Sequence, residues 1–390
     1  MMRVFDFCLP SDHVRQLVAY LRSVTHAEEL KDVANAEDVT KALLRAIGCL
    51  HLLIEAGIPD ADLESVLNSL ASLIPSVQSA EEATELIDCL CAKVLEEPFR
   101  GKEVVMYRPL GNLFYAMGDQ LHPVEHRHQY RLLCGILKLA SGCERSQYPA
   151  QMITLDEALD HLRKWKCNVT ETRQFLRLLH PALLNGPHAS LSAKVMFELL
   201  STYTTDSDAA DALEDARECV RTAMNDPETF VYSHLFRLCP VQRLKGEPIY
   251  ALLEIFNSGM IADYIAYREV NQEFMANTMG LADNVYMEKM RILTFMSLGS
   301  SVGSISMDEL GRRLMIDDGN ELEQFVIRAV QTRMVQAEID DVERKVFIRG
   351  VKPRSFDNAQ WAYVLKGLEK WELSISRIQK QFEDELRQVM

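Results

Sequence analysis

The chain has 390 residues and is 48% hydrophobic, enough to bury a large core divided between two or three units. Its net charge of −15 disfavours nonspecific binding to nucleic acid or to anionic membrane surfaces. No apolar run approaches the ~20 residues that span a bilayer. Asp6 and Pro10 interrupt the amino terminus where a secretory leader would need an unbroken apolar stretch, so a cytoplasmic protein without membrane contact is expected.

Residues before 286 read almost entirely as helices. Ser11-Asp12 is placed to cap a segment carrying Val14, Leu17, Val18 and Leu21 on one face, and 37–56 form a second with Leu43, Leu44, Ile47, Leu50 and Ile54. Asp60 opens a third, with Leu63, Val66, Leu67, Leu70 and Ile74, and Pro75 stops it. Further helices are expected near 80–96, 104–118, 123–140, 155–166, 170–184, 190–203 and 208–224. Thr154-Leu155-Asp156-Glu157 supplies a capping box for the helix at 155. Asp226-Pro227 and Glu247-Pro248 each put proline at a plausible first helical position. Helices joined by short turns predict antiparallel pairs, and no strict sequence period emerges, so the expectation is a degenerate α-solenoid.

The pattern changes after a helix at 284–299. Ser306-Met307-Asp308-Glu309 has the form of a capping box, with Leu310 and Leu314 on the helix it would open. A second helix carries Leu322, Phe325, Val326, Ala329 and Val330 at one-face spacing. Val335, Ala337 and Ile339 then alternate with Gln336 and Glu338, and Asp340–Glu343 turn the chain into a return strand centred on Val346, Phe347 and Ile348. Helix, short strand, two helices and a two-stranded wing predict a winged helix over 286–352. Its strand order leaves 335–339 as a free edge open to a partner. Between 301 and 355 there are nine Arg or Lys against ten Asp or Glu, so the module lacks the cationic excess that gripping phosphates requires. Beyond Pro353, Trp361, Val364, Leu368, Trp371, Ile375, Ile378 and Phe382 recur at alternating spacings of 3 and 4, a seam of the coiled-coil kind. Periodicity shows that this face is buried, but not whether its own domain or a partner chain covers it.

Candidate chemistry is sparse. His122-Pro123-Val124-Glu125-His126 matches the H-x-x-E-H spacing of a zinc-peptidase class, yet Pro123 starts the helix after His122 and no third ligand accompanies the pair. The nine cysteines are irregularly spaced, and none lies beyond Cys239. They read as free thiols in a reducing compartment. There is no phosphate-cradling glycine loop and no nucleophile elbow. No catalytic residue, metal or cofactor is expected.

A helical stack that ends in a charge-balanced winged helix and one last helix resembles the PCI family. That module is shared by subunits of the proteasome lid, the deneddylating signalosome and translation initiation factor 3. Ser192–Leu200, Lys289–Met296, Phe325–Val335, Ile339-Asp340 with Arg344–Val346, and Gln360-Trp361 with Trp371 resemble the initiation factor 3 members in particular. The likeness is strong over about 190–375 and looser before it. It implies helical repeats over 1–190, the helical part of the PCI module over 191–285, the winged helix over 286–352 and a bundle-forming helix over 356–390. It also implies a non-catalytic subunit whose partners are other PCI and MPN subunits. Contact with the small ribosomal subunit would come through the complex, and direct RNA contact would be weak or absent. The terminal seam would then face partner chains. The fold alone also admits a subunit of the signalosome or of a lid-like complex.

Overall fold

The computed structural model describes residues 10–26, 39–77, 79–118, 127–142, 153–184, 189–280, 283–317, 319–355 and 358–389. They fall into two compact units, divided after Thr202.

The first unit consists of α1 (Pro10–Thr25), α2 (Val39–Gly48), α3 (Leu50–Glu55), α4 (Asp60–Leu73), α5 (Ala80–Lys93), α6 (Glu103–Gly118), α7 (Arg127–Gly142), α8 (Leu155–Lys164), α9 (Val169–Leu184) and α10 (Ala189–Ser201). Each helix turns one apolar stripe inward. Leu21, Leu43, Ile47, Leu70, Leu86, Phe99, Leu113 and Leu132 are all fully buried. Next-but-one packing alternates with direct pairing: α4 lies on α6, α5 on α7 and α7 on α9, while α6 pairs directly with α7 and α9 with α10. That is how stacked helical hairpins bury a continuous core.

A repeat absent from the residue pattern appears in the contacts. Thr40 bonds Glu82, Lys102 bonds Asp60, Arg131 bonds Asp88, Asn112 bonds Asn68 and Tyr130 bonds the Glu171 carbonyl, at separations of 42, 42, 43, 44 and 41 residues. Gly135 keeps the same interval from Cys91, and a Cβ there would come within 2.6 Å of the Cys91 Sγ. Glycine is what allows α7 to press against α5 at that point.

Three expectations in the helical region are corrected. The helix expected over 37–56 is divided at Cys49 into α2, which ends at Gly48, and α3: Cys49 has ψ near 0°, and its carbonyl accepts from the Leu52 N–H at 3.1 Å, three residues on in place of four. Ser11 and Asp12 lie inside α1, which already includes Pro10, so they do not cap it. Asp226-Pro227 opens a turn and not a helix. The Asp226 carboxylate accepts from the Glu228 N–H at 3.2 Å and from the Thr229 hydroxyl at 2.6 Å, an Asx-type alternative to helix initiation. The capping box at Thr154 is complete.

The second unit begins with α11 (Asp206–Ala209), α12 (Leu213–Asn225), α13 (Cys239–Gln242), α14 (Pro248–Ser258), α15 (Ile261–Val270), α16 (Gln272–Phe274) and α17 (Asp283–Gly299). Phe256 sits at its centre, with Tyr232, Tyr264 and Tyr286 edge-on at 6.0, 5.9 and 6.2 Å between ring centroids. The hydroxyls of all three tyrosines are satisfied: Tyr232 donates to the Thr229 carbonyl at 2.8 Å, Tyr264 to Asp283 at 2.9 Å and Tyr286 to the Met279 carbonyl at 3.0 Å.

The winged helix follows as β1 (Ser304–Ser306), α18 (Met307–Leu314), α19 (Gly319–Gln331), β2 (Val335–Asp340) and β3 (Lys345–Val351). The antiparallel strands run in the expected order β1-β3-β2, with a register shift between Gln336 and Ala337. Phe325 of α19 packs on Phe295 of α17, and Gly299 lets the end of α17 close on β3, where a Cβ would meet Val351 at 2.5 Å. The second capping box is only half present. The Ser306 hydroxyl accepts from the Glu309 N–H at 3.3 Å, but the Glu309 carboxylate turns to Arg312 and Arg313 at 2.7 and 2.8 Å. The chain ends in α20 (Asn358–Val389), 32 residues long.

Candidate partner-binding surfaces

At 1.5 Å per residue α20 extends about 48 Å. It forms from residues with good helix propensity, and Glu369, Lys370, Glu372, Arg377 and Lys380 flank the apolar seam. Every described side chain from Trp361 to Gln381 is exposed. Trp361, Val364, Leu368, Trp371, Ile375 and Ile378 therefore share an exposed stripe, with Trp371 at 71% exposure. Phe382 lies in the same helix, but its side chain is outside the described residues. Leu365 and Leu373, which the 3,4 spacing does not pick out, are exposed as well. Leu365 stands four residues after Trp361 and three before Leu368, so it widens the stripe on that side.

The second predicted surface is the outer edge of β2. β3 pairs with only one side of β2, so alternate backbone groups along the other side have no strand partner within the sheet. Val335 is buried, while Ala337 and Ile339 are half-buried. The Val335 side chain belongs to the domain's own core, and what the edge offers at that residue is backbone.

Most cations of the winged helix are paired with acids. Arg328 meets Glu288 at 2.9 Å, Arg349 meets Glu338 at 2.8 Å, Lys345 meets Glu343 at 2.8 Å and Arg344 meets Asp308 at 3.5 Å. Glu321, at the start of α19, reaches Arg291 at 3.5 Å. Such exposed pairs add little stability, but they cancel the local field that would draw phosphate.

Two buried cations escaped the sequence reading. Lys289 of α17 is 5% exposed, and its Nζ donates to the Met224 and Asp226 carbonyls at 2.9 and 2.6 Å. It also lies over the Phe230 and Tyr232 rings at 5.6 and 5.5 Å. Burial pulls its pKa down to about 7. Arg354 is 7% exposed and bonds to the end of α14 and to α17. Burial lowers it to about 10, so it remains charged at neutral pH.

No disulfide links the seven described cysteines. Burial pushes Cys91 up to about 12 and Cys134 to about 11, which keeps both as thiols and poor nucleophiles. Among the described residues no three His, Cys, Asp or Glu side chains converge as metal ligands, and no helix is long and apolar enough to cross a membrane. His122, Glu125 and His126 lie outside the described residues.

A helical stack closed by a charge-neutralised winged helix defines a PCI-domain protein, and the PCI domain model matches residues 263–349. Over 368 residues the chain is 33% identical to eukaryotic translation initiation factor 3 subunit M of Mus musculus, covering 94% of each chain. The human protein of that name is 33% identical over 371 residues, and that of Nematostella vectensis 37% over 316. The chain belongs to the family of eukaryotic translation initiation factor 3 subunit M.

Proposed function

We propose that this chain is a non-catalytic scaffold subunit of translation initiation factor 3, working in the cytoplasm. In this reading the helical repeats (1–190) and the helical part of the PCI module (191–285) support two assembly surfaces. The winged helix (286–352) offers its β2 edge to a neighbouring PCI subunit, by strand addition or close packing. The terminal helix (356–390) enters a bundle with helices of other PCI and MPN subunits. The observation that carries the proposal is the exposed stripe of α20, with Leu368, Trp371, Ile375 and Ile378 each more than half exposed. A contiguous apolar stripe of that length is a partner surface, and covering each large side chain contributes roughly 1.5–3 kcal/mol. Trp371 is the strongest single anchor. Pairing of the winged-helix cations with acids supports a subunit that reaches the small ribosomal subunit through the complex and not through RNA of its own.

Affinity purification of the tagged chain from its own cells, read by mass spectrometry, tests the proposal. The expected result is co-recovery of the other initiation factor 3 subunits in near-equal amounts. Recovery of signalosome or proteasome-lid subunits in their place would overturn it.

A further inference from the structure

Four residues before α20 begins, the chain makes an unusual commitment. Arg354 follows β3 and Pro353, on a segment that could have run loosely from the wing into the terminal helix. Instead its guanidinium turns into the second unit. One terminal nitrogen donates to the Gly259 carbonyl and to the Ser297 Oγ, both at 2.8 Å. The other donates to the Phe256 carbonyl at 2.7 Å and to the Ile255 carbonyl at 3.3 Å. Three of these acceptors are carbonyls at the carboxyl end of α14, where the helix dipole favours a cation. Ser297 belongs to the last turn of α17, which leads into the winged helix.

The winged helix is therefore attached to the helical part of its unit at both ends. α17 enters it, and Arg354 returns its exit to α14 and α17. A planar guanidinium can fork to several carbonyls at once, whereas an ammonium cannot reproduce that geometry. Immediately beyond this clamp comes the helix whose stripe is exposed.

We infer that Arg354 is a positioning residue for assembly: by bonding the Ile255, Phe256 and Gly259 carbonyls and Ser297, it fixes the root of the terminal helix to the helical module, so that the β2 edge and the α20 stripe are presented to partners in one fixed relation. The inference rests on the proposed role of α20 in partner binding. Its physical content is preorganisation. Two surfaces held at a set distance bind as one, with a high effective concentration of the second once the first has engaged. Releasing the root keeps both surfaces but loses that advantage, by about ten-fold or more in assembly.

The test uses the full-length tagged chain expressed in its own cells, with initiation factor 3 subunits quantified after capture. Arg354→Ala should lower their recovery about ten-fold. Inserting Gly-Ser-Gly-Ser between Asp357 and Asn358 leaves every Arg354 bond in place, and it should lower recovery by a similar factor. Combining the two changes should cost little more than either alone, because both release the same root. Arg354→Lys should recover only part of the loss. Hydrogen exchange at α19, β2 and β3 should stay at wild-type levels in the insertion variant.

Wild-type recovery with the insertion would show that root position is irrelevant and would overturn the inference, even if Arg354→Ala failed to fold. Additive losses would overturn it too. Leu368→Asp with Ile375→Asp separates this inference from the reading beneath it. If that pair abolishes recovery while Arg354→Ala leaves it intact, the clamp alone is wrong. If that pair has no effect, the partner role of α20 falls and the clamp falls with it.

Discussion

Replacing Lys289 by methionine should expose how the second unit tolerates a buried cation. The variant keeps the length of the side chain and its contact with Phe230 and Tyr232, but it removes the donor that the Met224 and Asp226 carbonyls share. Orphaning buried acceptors costs about 1–3 kcal/mol each. Part of that returns, because burying an ammonium itself costs several kcal/mol. A net loss of about 2 kcal/mol at pH 7 is expected from these opposing contributions.

The pH dependence is the sharper signature. The folded-state pKa is depressed to about 7 from an ordinary 10.5. Between those values the unfolded chain holds a proton that the folded chain releases, so stability rises with pH across the window and is flat below it. From pH 7 to 8.5, before thiols and phenols contribute much, the wild-type unit should gain roughly 1–2 kcal/mol that Lys289→Met does not. Urea unfolding read by hydrogen exchange at peptides from α14 and α17 measures this unit separately. A gap between the two proteins that stays constant from pH 7 to 8.5 would refute the reasoning. So would a variant as stable as wild type at pH 7, because the carbonyls would then have other donors.

Other expectations follow from particular contacts. Phe325→Ala removes a fully buried ring packed on Phe295 and should destabilise the second unit by about 3–5 kcal/mol in the same urea assay. Gln336→Pro lies at the register shift of an edge strand, where proline is tolerated. It should leave the circular-dichroism spectrum unchanged and lower incorporation into the complex, and full incorporation would exclude the β2 edge as an interface. The isolated chain should bind RNA weakly at ~150 mM salt, where screening already operates. Tight binding there by filter retention would contradict the pairing of its winged-helix cations.

The winged helix was legible because three local signals agree within it: one-face spacing in α19, alternation in β2 and an acidic turn into β3. The seam of α20 was legible for the same reason, as a period. What covers it was not, since spacing specifies a face without naming its neighbour. The solenoid repeat escaped notice because it resides in contacts at intervals of 41–44 residues and not in recurring words. Lys289 and Arg354 escaped for a related reason. Apart from Ser297, their partners are backbone carbonyls 63 to 99 residues distant, and a carbonyl leaves no mark on the sequence. Asp226-Pro227 misled because an aspartate before proline can equally cap a helix or close a turn. The choice was made by Thr229, whose hydroxyl donates to the same carboxylate.

The central claim is that the stripe of α20 belongs to partners. Its most direct measurement is one variant, Leu368→Asp with Ile375→Asp, taken through thermal melting as a monomer and through co-purification with the other subunits. Both residues are more than half exposed, so charge there should leave the monomer's melting temperature within about 2 °C of wild type, as surface changes do. Incorporation into initiation factor 3 should be abolished. A melting temperature lowered by ~5 °C or more would mean that the helix packs on its own unit, and wild-type incorporation would mean that partners do not use the stripe; either result contradicts the account.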